Sequence, residues 1–135
     1  MTDTVVAGKL RIKPGDRVWI SDASRSALVG GLPAGASLAS DRLPTAGTAV
    51  ALVVADDEAT LRSILDRGVE ALAAVPALWI AYPKGNRADI NRDSLWPILA
   101  ERGLRPITQV ALDDTWSALR FRPLRPDEPP FTGGR

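Results

Sequence analysis

Residues 49–82 decide the fold of this chain and read AVALVVADDEATLRSILDRGVEALAAVPALWIAY. The first six form a continuous apolar run rich in β-branched side chains, which is typical of a strand buried on both faces of a parallel sheet. Apolar residues then recur at helical spacing from Leu61 to Leu72, and a second apolar run follows at 77–82. A strand, an amphipathic helix and a strand predict a right-handed crossover unit with two parallel strands.

Shorter patterns on either side of this unit extend the sheet. The last two predicted strands flank a short polar turn, which is typical of an antiparallel hairpin. The sequence therefore predicts a three-layer, Rossmann-like α/β domain whose mostly parallel sheet has five to six strands and a C-terminal antiparallel hairpin. Further strands are predicted at 17–20, 36–39, 107–112 and 116–122, and a second helix is predicted from 91 or 93 to 102.

Gly68 and Pro97 fit the predicted helices least well. A glycine inside a helix costs about 1 kcal/mol relative to alanine, so we expect the first helix to be weakened at Gly68. If Asp93 caps the second helix, Pro97 removes only an early hydrogen bond. If that helix begins earlier, a kink costing about 3 kcal/mol is expected at the proline.

The chain of 135 residues has the length of one domain. We predict a flexible leader at 1–8, one domain at 9–123 and a tail rich in proline and glycine at 124–135. The longest apolar run, 48–55, is too short to span a bilayer, and the N-terminus does not have the pattern of a secretory signal. We therefore expect a cytoplasmic protein with no membrane partner.

The composition excludes several kinds of chemistry. Histidine and cysteine are both absent, so nucleophilic sites built on Cys–His or Ser–His–Asp and zinc sites built on imidazole or thiolate are excluded. A formal net charge of +1 provides no general basic field, which disfavours a nucleic acid as partner. Glycine-rich fingerprints of dinucleotide and phosphate sites are missing as well, and we predict no cofactor.

Three stretches resemble a shortened class I methyltransferase domain: LRIKPGDRV at 10–18, the strand at 77–80 and the closing hairpin. More closely, residues 9–122 resemble a family of small bacterial proteins of unknown function. The motifs of that resemblance are Tyr-Pro-Lys at 82–84 and Asp-Asp-Thr-Trp-Ser at 113–117. The resemblance implies a Rossmann-like fold and brings no activity with it.

The turn after the first strand departs from the methyltransferase pattern. In those enzymes an acidic, glycine-rich turn lets the backbone approach the cofactor, whereas this chain has Ser-Asp-Ala-Ser-Arg at 21–25 and no glycine between Ile20 and Gly30. The sequence therefore predicts that S-adenosylmethionine does not bind.

Polar side chains follow several of the predicted strands and form the candidate ligand site. In open parallel sheets, ligands bind outside the carboxyl ends of the strands, above all where the strand order reverses. Carboxylates around one lysine suit a cationic or hydroxylated ligand, or a hard metal held through oxygen atoms, although we assign no metal site and no catalytic residue. The candidate ligand-binding residues are Ser21, Asp22, Asp56, Lys84, Asp113 and Asp114.

Each of these residues also has a purely structural interpretation. Asp56 caps a helix, Asp113 and Asp114 form a turn, and Lys84 is solvated or paired with a nearby carboxylate. Lys84 is the strongest candidate, since Pro83 constrains the loop that presents it.

Two tryptophans are candidates for a partner surface. Trp19 and Trp79 lie in predicted strands and are expected in the core, whereas Trp96 and Trp116 could be exposed.

Three functions are consistent with these patterns. The leading hypothesis is a non-catalytic, degenerate methyltransferase-like domain that binds or regulates, through an unknown protein partner or self-association. The alternative is a small ligand-binding protein or enzyme that uses the acidic edge around Lys84. An RNA-associated accessory role comes third and rests on Arg120, Arg122 and Arg125.

Overall fold

A six-stranded sheet runs through the structure, a computed structural model that describes residues 5–84, 90 and 92–129, except the side chains of residues 92 and 93. Ten elements follow one another along these residues. They are α1 (Val5–Lys9), β1 (Arg17–Ile20), a 3₁₀ helix (Ala23–Leu28), β2 (Ser37–Ala39), β3 (Val50–Val54), α2 (Glu58–Ala73), β4 (Ala77–Pro83), α3 (Arg92–Ala100), β5 (Leu104–Ala111) and β6 (Trp116–Pro123).

The strand order in the sheet is β2-β1-β3-β4-β6-β5. The first four strands are parallel to one another, and β6 lies between β4 and β5 and is antiparallel to both. The predicted fold class is therefore confirmed: the domain is Rossmann-like, and its mostly parallel sheet ends in an antiparallel hairpin.

The crossover unit forms as its residue pattern requires. All five residues of β3 are buried, because both faces of this central strand are covered. The next element, α2, begins after Asp57, whose carboxylate accepts a hydrogen bond from the Thr60 N–H at 2.8 Å. It buries one stripe of apolar side chains, including Leu61 and Leu65, against the sheet.

Three layers result from this packing. Both α2 and α3 cover one face of the sheet, where Trp19 and Phe121 are buried. The other face is covered by α1, the 3₁₀ helix and the segment that joins α1 to β1. On that face the Trp79 indole N–H donates to the Leu10 carbonyl at 3.1 Å. The prediction that Trp19 and Trp79 lie in the core is confirmed.

The two ends of the described chain, which the sequence assigns to a leader and a tail, both contact the rest of the fold. Residues 5–9 form α1, and Ala7 is fully buried against the sheet. At the other end, the Leu124 N–H donates to the Gly103 carbonyl at 2.9 Å, and the Glu128 carboxylate pairs with two arginines of the hairpin. Both segments are held by contacts distant in sequence, which periodicity does not reveal. Residues 1–4 and 130–135 lie outside the described part.

Gly68 and Pro97 both lie inside helices. The backbone of Gly68 leaves the helical region at φ 168° and ψ 74°, so α2 kinks there, as its glycine predicted. Because α3 already begins at Arg92, Asp93 is not its cap and Pro97 is an interior residue. None of the helices described here is long and apolar enough to cross a membrane.

Candidate functional site

The strand order reverses at the carboxyl ends of β1 and β3. From β1 the chain moves outward to β2, and it then returns to the opposite side of β1 to form β3. This is the topological switch point, where open α/β sheets bind their ligands. An open groove of about 440 Å³ lies at this place, which we call the switch-point groove. Its lining residues are Ser21, Asp22, Val54, Asp56, Ala59, Thr60, Ser63, Ile64 and Arg67.

Ser21 and Val54 line the groove where the two strands end. The Ser21 hydroxyl accepts a hydrogen bond from the Val54 N–H at 2.7 Å, and the Ser21 N–H donates to the Leu52 carbonyl at 3.0 Å. The Ser21 side chain thus closes the gap between β1 and β3. Its first role is structural, although it borders the groove.

Asp22 begins the 3₁₀ helix that follows β1. Its Oδ1 atom accepts hydrogen bonds from the Ser24 hydroxyl at 2.6 Å and from the Ser24 N–H at 3.0 Å. The hydrogen bond from the Ser24 hydroxyl lowers the pKa of Asp22, and the nearby charge of Arg25 acts in the same direction. Asp22 therefore places a fixed negative charge at one end of the groove.

Asp56 lies beside Asp22 after β3 and is exposed. Its carboxylate is 3.4 Å from the Arg25 guanidinium, and this guanidinium lies 5.2 Å from the centre of the Trp116 ring. Because Asp57 caps α2, the structural interpretation of Asp56 as a cap is wrong by one residue. Asp56 is free of the helix backbone and faces the groove.

The helical wall of the groove is made by α2, and the sequence prediction missed it. Thr60, Ser63 and Arg67 line it at spacings of three and four residues, which places them on one face of the helix. A polar stripe beside the buried apolar stripe was the available signal. It is also the ordinary pattern of a solvated helix face, so the sequence did not single it out.

Lys84, Asp113 and Asp114 do not line the groove. The Lys84 ammonium donates to the Asp113 carbonyl at 2.6 Å, and the Lys84 N–H donates to the Thr115 carbonyl at 2.8 Å. Strand β3 separates β4 from β1, so the end of β4 lies roughly 10 Å from the end of β1. The structure therefore divides the six candidates into two groups of three.

The second group belongs to the hairpin turn. The Asp113 carboxylate accepts hydrogen bonds from the Thr115 and Trp116 N–H groups, each at 2.7 Å, while Asp114 is exposed. This is the turn-forming role of aspartate, in agreement with the structural interpretation. Among the residues that the structure describes, no three acidic side chains are placed to hold a metal ion.

The two candidate partner tryptophans offer little exposed surface. Trp116 is 7% exposed, and Trp96 is half-buried against the core between α2, α3 and the sheet. The exposure that a partner surface needs is thus missing at Trp116. Two of the arginines proposed to contact RNA are engaged within the chain: Arg122 pairs with Glu128 at 2.9 Å, and Arg120 donates to the Pro76 carbonyl at 3.1 Å.

The sequence matches no protein-family model and no curated protein. The structure is similar to a protein in the NADB-Rossmann superfamily from Streptococcus agalactiae, with a TM-score of 0.57 and 10% sequence identity over 98% of this chain and 72% of that chain. At this identity the likeness concerns the fold, and it agrees with the Rossmann-like strand order.

Proposed function

We propose that this chain is a non-catalytic, methyltransferase-like binding domain that takes up a small polar molecule in the switch-point groove. The observation that carries the proposal is the position of the groove, at the point where the order of the parallel strands reverses. Its volume of about 440 Å³ is in the range of small-molecule sites. Both carboxylates and hydroxyls border it, next to the apolar side chains of Val54 and Ile64.

The closing hairpin supports the methyltransferase-like part of the proposal. The resemblance to class I methyltransferases includes this hairpin, and β6 lies antiparallel between β4 and β5. The turn after β1 is different, since a 3₁₀ helix begins at Ala23 in place of a glycine-rich turn. A domain that keeps the sheet and replaces the cofactor turn is expected to bind something other than the cofactor.

The groove side chains favour binding over catalysis. A general base works best with a pKa near the working pH, whereas hydrogen bonding lowers the pKa of Asp22. The Ser21 hydroxyl accepts from the Val54 N–H, and within the described residues it donates to neither Asp22 nor Asp56, whose hydrogen bonds come from Ser24 and Arg25. The geometry resembles a set of polar anchors more than a nucleophile with its base.

Self-association through the outer edge of β5 has less support. The outer edge of β5 contains Pro106, its register shifts between Pro106 and Thr108, and the Lys9 ammonium donates to the Ala111 carbonyl at 3.1 Å. Proline, irregular register and lysine are devices that protect edge strands from pairing. Binding to a protein partner stays a prediction, and we assign no surface of this chain to it.

A fragment screen with a blocked variant tests the proposal. Amide chemical shifts of labelled protein are recorded with a library of small polar compounds, and shifts are expected to cluster at β1, β3 and α2. Ser63 is exposed on the groove wall, so Ser63→Trp should fill the groove and abolish these shifts while the protein stays folded. Glu70→Trp, at an exposed position of the same helix outside the groove, is the matched control and should keep them.

Two results would contradict the proposal. One is a library in which no compound shifts the groove amides. The other is binding that persists unchanged in Ser63→Trp, because the bound compounds would then lie elsewhere.

A further inference from the structure

The switch-point groove carries opposite charges at its two ends. At the strand end, Asp22 and Asp56 face a single cation, Arg25, so two carboxylates and one guanidinium leave one net negative charge. At the other end, Arg67 projects from α2 and is exposed. Charges of opposite sign at the ends of one groove select for a ligand with the complementary pattern.

The carboxylates have acceptor capacity to spare. The hydrogen bonds from Ser24 both go to Oδ1 of Asp22. Its Oδ2 atom has no hydrogen-bond partner among the residues that the structure describes. The pair between Asp56 and Arg25 is long, at 3.4 Å, and its side chains are 49% and 43% exposed. Because exposed pairs of this kind contribute little, a ligand cation can replace Arg25 beside Asp56.

Arg67 is the arginine of α2 that pairs with no carboxylate among the described residues. The other one, Arg62, pairs with Glu58 at 2.9 Å, and the neighbouring acid Asp66 pairs with Arg102 at 3.1 Å. Arg67 forms no ion pair with any residue that the structure describes. Its planar guanidinium is suited to a carboxylate or phosphate group.

The lining of the groove extends along α2. From Ala59 to Arg67 the groove follows eight residues of α2, which corresponds to about 12 Å along the helix axis. The hydroxyls of Thr60 and Ser63 line the wall between the charged ends.

We infer that the ligand is an elongated zwitterion, with its cationic group between Asp22 and Asp56 and its anionic group on Arg67. This inference rests on the proposed function and names the class of molecule that the same groove takes. It also assigns Arg67 a role in binding. The cation replaces Arg25 on Asp56, and the chain between the charged groups lies along α2.

Three probes of equal length test whether affinity depends on the charges at the two ends of the ligand or only on filling the groove. The probes are ω-aminooctanoate, octanediamine and octanedioate, titrated into labelled protein while the amide shifts of the groove residues are followed. We expect ω-aminooctanoate to bind about three- to fivefold more tightly than either symmetric probe, which is the upper part of the range for one exposed ion pair. Arg67→Gln should remove its advantage over octanediamine, and Asp56→Asn should remove its advantage over octanedioate.

Two control variants carry the same chemical changes away from the groove. Arg17→Gln lies at the opposite end of β1, and Asp127→Asn lies in the exposed segment after β6; both should keep the full preference. Equal affinities for the three probes, an unchanged preference in Arg67→Gln and Asp56→Asn, or no groove shifts with any probe would each overturn the inference. If library compounds still bind in the groove in those cases, the proposed function stands, and only the inference that the ligand is a zwitterion is wrong.

Discussion

Lys84 joins the end of β4 to the turn of the closing hairpin through two hydrogen bonds, one from its side chain and one from its backbone. The side-chain bond, to the Asp113 carbonyl at 2.6 Å, lies at the surface and holds no buried carboxylate. We therefore expect Lys84→Met to lower the free energy of unfolding by about 1 kcal/mol, the net value of one such bond, and to leave ligand binding in the groove unchanged.

Urea denaturation and the fragment titration measure these two effects. Lys13→Met is the control, because Lys13 is exposed and contributes its backbone to the turn with Asp16. Loss of groove binding in Lys84→Met would return Lys84 to the role of ligand contact that the sequence favoured.

Glu128 anchors the segment after β6. Its carboxylate lies 2.9 Å from Arg122 and 2.5 Å from Arg105, and its side chain is 14% exposed. The hydrogen bond from Arg122 contributes most to a pKa of Glu128 far below the ordinary value of 4.5, and the Arg125 N–H and Arg105 add to it. A carboxylate whose pKa is lowered by folding stabilises the fold above its unfolded pKa and loses that effect as the pH falls towards its folded pKa.

We accordingly expect Glu128→Gln to lower the melting temperature at neutral pH, with a difference from the wild type that shrinks as the pH falls from 4.5 to about 3. Melting curves across this range provide the measurement, and Asp127→Asn, at the exposed adjacent residue, serves as control. A difference that stays constant with pH would show that the charge of Glu128 is not what holds the segment.

The sequence did not indicate which of several adjacent acidic residues performs which role. Asp56, Asp57 and Glu58 all follow β3, and each suits the first turn of a helix. The structure divides their roles: Asp57 caps α2, Glu58 pairs with Arg62, and Asp56 faces the groove. The division depends on where β3 ends, and a shift of one residue would exchange the roles.

At the scale of elements, Gly68 makes room for the loop between β2 and β3. A Cβ atom at this position would lie 2.8 Å from Cδ1 of Leu43, a side chain of that loop. We expect Gly68→Ala to displace the Leu43 side chain and to destabilise the fold by about 1 kcal/mol, the low end of the cost of overpacking, because the atom that it meets is the end of a flexible, partly exposed side chain.

A double-mutant cycle checks this expectation. In a Leu43→Ala background the space is free, so Gly68→Ala should lose most of this cost. Helix propensity adds nothing here, because the backbone of Gly68 is not helical. Equal effects of Gly68→Ala in both backgrounds would show that the kink in α2, and not the contact with Leu43, decides the outcome.

Elements with a regular hydrophobic pattern were predicted closely, and those held by irregular contacts were not. The predicted and observed β1 are the same residues, and α2 and β4 agree within a few. In contrast β5 begins at Leu104, three residues before the prediction, because Arg105 and Pro106 interrupt its pattern. Proline is tolerated there since β5 is an edge strand and one of its sides needs no hydrogen-bond partner.

At the scale of the whole molecule, the position of the site depends on the order of the strands. The sequence indicated which residues follow each strand, but Lys84 joins Ser21 and Asp22 in one site only if β4 neighbours β1. The observed order inserts β3 between them and moves Lys84 to the hairpin. Strand order arises from contacts across the entire sheet, and local patterns contain little of that information.

Sheets of this type commonly hold a nucleotide cofactor at the switch point. In dinucleotide-binding domains the pyrophosphate meets free backbone N–H groups at the helix after the first strand. Here that helix is a short 3₁₀ helix, and its Ser24 N–H already donates to the Asp22 carboxylate at 3.0 Å. A second carboxylate, Asp56, lies on the same groove and adds to the repulsion of phosphate groups.

We expect neither NAD nor S-adenosylmethionine to bind. The pyrophosphate of NAD would find the N–H group at the helix end already bonded, and the turn after β1 has no glycine that would let the backbone approach S-adenosylmethionine closely. Calorimetric titration of each compound up to about 1 mM should give no binding heat. A library compound that shifts the groove amides is the positive control and confirms that the groove is accessible under the same conditions. Micromolar binding of either cofactor would show that the turn after β1 rearranges. The Asp22 carboxylate would then release the Ser24 N–H, which would donate to a phosphate or a carboxylate of the ligand.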